Sequence, residues 1–327
     1  NLYGSAGSLP QQPLQEIAGV PILYGTTNME WHGTTKVIDA DLIASTYFLI
    51  TRYEEMVRRT TRDEHGRFPG KESFLYQAGL TDRPLADEYR LLLRSWLQEC
   101  LMPVGPVMPG IRKIYLTHDV DMPFLYRSWK GMVRSALNRR GILTTLKGKF
   151  GSLKNDPYYT FPWLFTVNQQ LKDKNKSAVK SIFFFKAGGT TPYDKPHYRP
   201  KDKAIAKLIK SCTLQKASIG LHASYEAGKN PLLIKEERKR LELQLQENVY
   251  YNRNHYLLNR EPEDMDILEA AGITHDFTMG YADIPGFRLG TSRAVRWINP
   301  VTRRISSLKI QPLILWTVPW KKNATWV

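Results

Sequence analysis

Asp119 and Asp121 stand two residues apart at the end of an apolar run, in Thr117-His118-Asp119-Val120-Asp121. Residues two apart on a strand project to the same side, so both carboxylates leave the chain together. His222, in Gly220-Leu221-His222-Ala223-Ser224-Tyr225, closes a second run of strand character, and Arg253-Asn254-His255-Tyr256 closes a third. Two carboxylates, two imidazoles and a guanidinium at the same end of successive strands can converge on a hard-to-borderline divalent ion with an open coordination position. A lone Asp-x-Asp is more often a turn or a helix cap, and a lone His at a strand end usually does no chemistry. Their joint placement carries the reading.

The elements that must position these residues follow from hydrophobic periodicity. Pro103-Val104-Gly105-Pro106-Val107-Met108-Pro109-Gly110 separates two differently patterned parts and reads as a linker, with one domain over 1–105 and a second over 111–327. In the first part a helix is expected from about Asp41 to Val57. Another carries Leu85, Tyr89, Leu92, Leu93, Trp96, Leu97 and Cys100 on one face. After the linker, strands at 111–117, 181–185, 217–221, 249–256 and 273–279 alternate with helices, the pattern of a parallel α/β domain. Active sites of such domains gather at the carboxyl ends of the strands.

The 327 residues carry 47 Lys and Arg against 31 Asp and Glu, a formal charge of +16, which implies an anionic partner. Much of the excess lies in a helical insertion at about 127–156, where Arg127, Lys130, Arg134, Arg139, Arg140, Lys147, Lys149 and Lys154 occur without an acidic residue between Arg127 and Lys154. Two readings stand for it: a solvated insertion, or a surface for lipid head groups or an anionic glycan. No nucleic-acid motif accompanies the charge, which argues against that partner. Cys100 and Cys212, the two cysteines, allow no disulfide framework and no cysteine-based zinc site, and are expected as buried thiols. No apolar run is long enough to span a bilayer and no signal peptide is visible, but the missing start removes the usual evidence about export, so localisation stays open, with a cytoplasmic or membrane-peripheral place favoured. The first residue is Asn1, so the chain is read as processed or as a fragment.

The motif at 117–121 resembles the first motif of the polysaccharide deacetylases, carbohydrate esterase family 4, and the resemblance covers about Ile111 to Leu315. It implies a distorted (β/α) barrel preceded by a smaller α+β domain, a divalent metal, most simply zinc, and an N-acetylated polysaccharide or glycan as substrate. It implies Asp119 as general base, Asp121 and His222 as metal ligands, and Arg253 as the group that orients Asp119. His118, Ser224, Tyr225, Tyr256 and Arg288 are expected to line the substrate groove. The family's second metal-binding His falls four residues after His222, where this chain has Glu226. His255 either replaces that ligand or only lines the groove. Gly280-Tyr281-Ala282-Asp283, the stretch Gly286 to Ser292, and the N-terminal segments Asp41 to Phe48, Arg52 to Glu55 and Asp63 to Phe68 resemble a bacterial subgroup whose catalytic domain follows a domain of unknown function.

The implied reaction is metal-assisted removal of N- or O-acetyl groups. The alternative is a catalytically impaired glycan-binding or scaffold protein, because the family's acidic His has no counterpart after His275. A barrel begun at Ile111 also needs more chain than follows the fifth strand. Leu315-Trp316-Thr317-Val318-Pro319-Trp320 can be encoded by bases that, shifted by two, read Met-Asp-Cys-Thr-Leu, a stretch similar to one in the family. The expectation is a frameshift near Ile314, which the nucleotide sequence of the gene decides.

Overall fold

The computed structural model describes residues 6–107, 113–127, 142–175 and 178–316. The fold is mixed α/β and divides into two compact units, one of residues 1–108 and 256–327, the other of residues 109–255. Residues 128–141 of the basic insertion lie outside the described residues, as does the tail from Thr317. Among the described residues no helix is long and apolar enough to cross a membrane.

The first unit opens with two antiparallel hairpins, β1 (Gln15–Ile17) with β2 (Val20–Ile22) and β3 (Met29–His32) with β4 (Thr35–Ile38). The helix expected over 41–57 is two: α1 (Leu42–Ile50), capped by the Asp41 side chain on Ala44 N, and α2 (Tyr53–Val57). Arg52 between them takes a left-handed backbone at φ 59°, which breaks the helical run. After the single turn α3 (Phe74–Gln77), α4 (Leu85–Glu99) buries Leu85, Tyr89, Leu92 and Trp96 in an apolar cluster with Ile22, Leu23, Phe48 and Tyr53. Leu93, expected on the same face, points outward, and Cys100 at the helix end is only half-buried.

The second unit is a run of parallel strands, β5 (Ile114–Val120), β6 (Val179–Phe185), β7 (Ser218–Ala223) and β8 (Tyr251–Asn254), paired in that order. Between β5 and β6 lie α5 (Ile142–Phe150) and α6 (Phe161–Asn175). Helix α7 (Lys203–Leu214) precedes β7, and α8 (Tyr225–Lys229) and α9 (Leu233–Leu245) precede β8. Phe183, Phe184 and Phe185 are fully buried on β6, as a strand covered on both faces requires. Helix α7 buries Ile205, Leu208, Ile209 and Cys212 on one stripe, the face its spacing predicts.

The chain then returns to the first unit with α10 (Met265–Ala270), β9 (His275–Asp276), β10 (Val295–Ile298) and β11 (Ile305–Ile310). Strand β11 is parallel to β9 and antiparallel to β10. The strand expected over 273–279 is cut short because the Asp276 side chain turns back to accept from Thr278 N and Thr278 Oγ1. A buried ion network joins the two segments of this unit. Arg288 donates to both oxygens of Glu55 (3.0 and 2.8 Å), and Arg52 donates to Glu55 and Asn259. Burial opposes the Glu55 charge, yet Arg288 and Arg52 hold its carboxyl down at about 2.

Glu237 on α9 is the contrasting case in the second unit. It is buried, accepts from Ser224 N (2.9 Å) and from Ser224 Oγ, and has no such guanidinium pair. Burial raises its carboxyl from 4.5 to about 7 against the pull of those hydrogen bonds. The folded chain therefore holds a proton that the unfolded chain releases between those two values, so stability falls as pH rises from about 4.5 to about 7. Glu237→Gln is expected to remove that part of the slope and to gain up to about 3 kcal/mol at pH 8. Urea denaturation of both proteins across pH 5–8 checks it; parallel curves would contradict the assignment.

Candidate metal centre

The strand alternation operates at the carboxyl end of β5. Thr117 and Asp119 face the same side, and Asp121 follows one residue beyond the strand. Arg253 and His255 repeat the arrangement at the end of β8, and His222 lies in register with Arg253 across the β7–β8 pair. Arg253 Nη1 donates to Asp119 Oδ1 at 3.0 Å and Nη2 to Thr117 Oγ1 at 2.8 Å, with the guanidinium 4.8 Å from the centre of the Phe184 ring. Gly220 sits opposite Phe184 in the β6–β7 register, where any Cβ would come within 2.5 Å of that ring. Its missing side chain is what lets Phe184 lie under Arg253.

The His222 ring is buried and its tautomer is fixed. Nδ1 donates to the Arg253 carbonyl at 2.8 Å, because a carbonyl can only accept, and this leaves Nε2 facing Asp121 Oδ1 at 3.2 Å. His255 is set the same way by a different partner. Its Nδ1 lies 3.5 Å from Asp194 Oδ1, and its Nε2 lies 3.4 Å from the same Asp121 oxygen. Burial drives the His255 pKa down, which keeps the ring neutral. Burial pushes His222 in the same direction, but the Asp119 and Asp121 carboxylates outweigh it and raise that pKa. Burial would likewise raise the Asp121 carboxyl, and the two imidazoles with Lys186 instead hold it well below the usual range.

Asp121, His222 and His255 form a possible metal-binding triad, with their three ligand atoms within 4.8 Å of one another. Two observations fit an ion there. Asp121 Oδ1 is buried without a hydrogen-bond partner, a costly state for a carboxylate oxygen. The two distances from that oxygen, 3.2 and 3.4 Å, also match the edge of a tetrahedron whose bonds to nitrogen and oxygen are about 2.0–2.1 Å, an edge of roughly 3.3–3.4 Å. Three protein ligands leave a fourth position open, the hallmark of a reactive rather than a structural site.

Of the residues expected to line a groove, His118 faces the opposite side of β5, against Asn168 of α6 (3.2 Å) and stacked on Phe183. Ser224 is buried as the cap of α8, with its hydroxyl on Glu237. Tyr225 is buried with its ring stacked on Tyr193 at 4.4 Å. Tyr256 and Arg288 belong to the first unit, where the Tyr256 carbonyl accepts from Arg67 Nη1 (2.7 Å) and Arg288 completes the Glu55 network. Glu226, at the position of the family's second His, accepts from Thr190 N and Thr190 Oγ1 and is not among the triad. Sequence reasoning missed Asp194 and Lys186. Both sit on the β6–α7 connection, which has no periodic pattern to read.

Residues 6–102 match the model of a family of unknown function (DUF7033), the region in which a domain of unknown function was expected. No curated protein and no solved structure matches the chain. The match does not reach residues 111–315, the stretch that carries the deacetylase resemblance.

If His255 is the third ligand, His255→Ala lowers the affinity for zinc at least 100-fold, as measured by competition with a chromophoric chelator, whereas Glu226→Ala leaves it within about twofold. The opposite ranking would return the ligand role to position 226.

Proposed function

We propose that residues 109–255 form the core of a metal-dependent hydrolase that removes N- or O-acetyl groups from a polysaccharide or glycan precursor. The observation that carries this reading is the pairing of an Asp-His-His triad, open at one position, with a second carboxylate, Asp119, held by Arg253 beside it. Zinc suits the donor set of two imidazoles and one carboxylate best. Such an ion, when bound, polarises a carbonyl and makes water acidic enough to attack it near neutral pH.

The chain's own residues supply the rest. Arg253 occupies Asp119 Oδ1 and leaves Oδ2 to take the proton of the attacking water. Thr117 takes the other arm of the guanidinium, so that Arg253 cannot swing away from Asp119. Water adds to the carbonyl carbon, the bond to the glycan nitrogen or oxygen breaks, and the leaving group must receive a proton. A distorted barrel is the arrangement we propose for these strands. On a flat sheet β5 and β8 would lie about 14 Å apart with side chains standing away from it, so the contact between Asp119 and Arg253 requires strong curling.

A second reading keeps the site and drops the turnover: a glycan-binding or scaffold protein of polysaccharide assembly. It is favoured by Glu226, which stands where the resemblance would put a second His and is instead held by Thr190 N and Thr190 Oγ1. Acetate release from N-acetylglucosamine oligomers by the zinc-loaded protein separates the two. The hydrolase reading predicts release that falls by about 10²–10⁴ in Asp119→Asn while zinc stays bound. Glycan binding that survives chelation, with no acetate released, would establish the scaffold.

A further inference from the structure

The β6–α7 connection, residues 186–198, contributes no ligand to the triad, yet it ties together the three strand ends that do. Tyr198 Oη donates to the carbonyl of Val120, the residue between Asp119 and Asp121, and accepts from Lys186 N. Lys186, buried at the end of β6, donates through Nζ to the carbonyls of Asp194 (2.9 Å) and Pro196 (3.3 Å). Asp194 Oδ1 in turn accepts from Tyr225 N (2.6 Å), just past the end of β7, and faces His255 Nδ1 (3.5 Å), just past the end of β8. Its other oxygen accepts from Thr191 Oγ1 at 2.6 Å. Asp194 is almost wholly buried, at 1% exposure, so its charge is spent on these partners and not on solvent. Gly189 carries φ +86°, and a Cβ there would fall 2.4 Å from the Asp194 carboxyl carbon and 2.6 Å from Ser224 Cβ, so the connection is packed tightly around this carboxylate.

We infer that Asp194 is the positioning residue that makes His255 a metal ligand. A ring that donates Nδ1–H to a buried carboxylate presents Nε2 as its lone pair and becomes a stronger base toward an ion, the carboxylate–histidine–metal arrangement. His222 has a neutral carbonyl, that of Arg253, as the partner of its Nδ1 at 2.8 Å. The two rings therefore differ in the charge of their partners, a carboxylate at 3.5 Å for His255 and a neutral carbonyl at 2.8 Å for His222. This also accounts physically for a ligand at position 255 while Glu226 binds Thr190, since the carboxylate that serves the ring comes from a loop already braced against β5 and β7.

The inference rests on the proposed metal centre, and its test separates the two. Zinc is titrated into wild-type protein, Asp194→Asn and Asp194→Ala by chelator competition, and the visible spectrum of each cobalt-loaded protein is recorded. Asn is isosteric: its oxygen can still accept from His255 and Tyr225 and its nitrogen can donate to Thr191, so this variant loses the charge and keeps the packing. The expected result is one zinc in the wild type, a loss of affinity of about 10–100-fold in Asp194→Ala, a smaller loss in Asp194→Asn, and an altered cobalt spectrum in both. In a His255→Ala background the Asp194→Asn change is expected to have no further effect, which a merely structural role would not produce. Should Asp194→Ala fail to fold, Asp194→Asn and its cycle with His255→Ala carry the test. Unchanged affinity and spectrum in the variants beside a zinc-binding wild type would overturn the role of Asp194 alone. A wild type that binds no zinc would overturn the metal centre and this inference together.

Discussion

Arg253 holds the candidate site together through both its side chain and its backbone. The guanidinium fixes Asp119 and Thr117 on β5, and the carbonyl of the same residue fixes the His222 tautomer on β7. One residue of β8 thus sets a carboxylate and an imidazole of the candidate site on two other strands. The contact also constrains the backbone, because β5 and β8 reach each other only if the strands between them curl. Phe184, beneath the guanidinium, and Gly220, which makes room for that ring, are the packing conditions of the same contact. Both side chains are largely buried, so replacing Arg253 would leave the Asp119 carboxylate without its partner, a loss of about 3–5 kcal/mol rather than that of one surface ion pair.

Charge then decides what the site can hold. Asp119 is answered by Arg253, and Asp194 by His255, Thr191 and the Tyr225 amide. Asp121 keeps a buried oxygen with no donor, while two imidazole nitrogens already committed through their other ring atoms face it. A proton on His222 or a divalent cation satisfies this arrangement, and only the cation satisfies all three groups at once. An ion bound there would compete with the proton for His222, so acidification should weaken its binding first through that ring.

The parts legible in the sequence were those governed by short-range geometry. The two-residue period of a strand put Asp119 with Asp121 and Arg253 with His255, and the 3.6-residue period gave α4 and α7. Asp194 was illegible because its role comes from where a loop folds back, and neither Pro192 nor Tyr193 beside it marks a carboxylate that serves a ring 61 residues later. The return of residues 256–316 to the N-terminal segment was equally hidden. It depends on pairs such as Glu55 with Arg288, 233 residues apart, whose local sequence reads only as charged. His118 was placed with its neighbours by sequence proximity, whereas the strand turns it to the helix side, against Asn168.

Asp121, His222 and His255 are proposed to bind one divalent ion through two imidazoles and a carboxylate. X-ray absorption spectroscopy of the zinc-loaded chain tests it most directly. The expected result is one zinc per chain with four nitrogen or oxygen neighbours at about 2.0–2.1 Å and the outer-shell scattering of two imidazole rings. An ion with one imidazole or none, or a chain that retains no zinc after gel filtration, would contradict it.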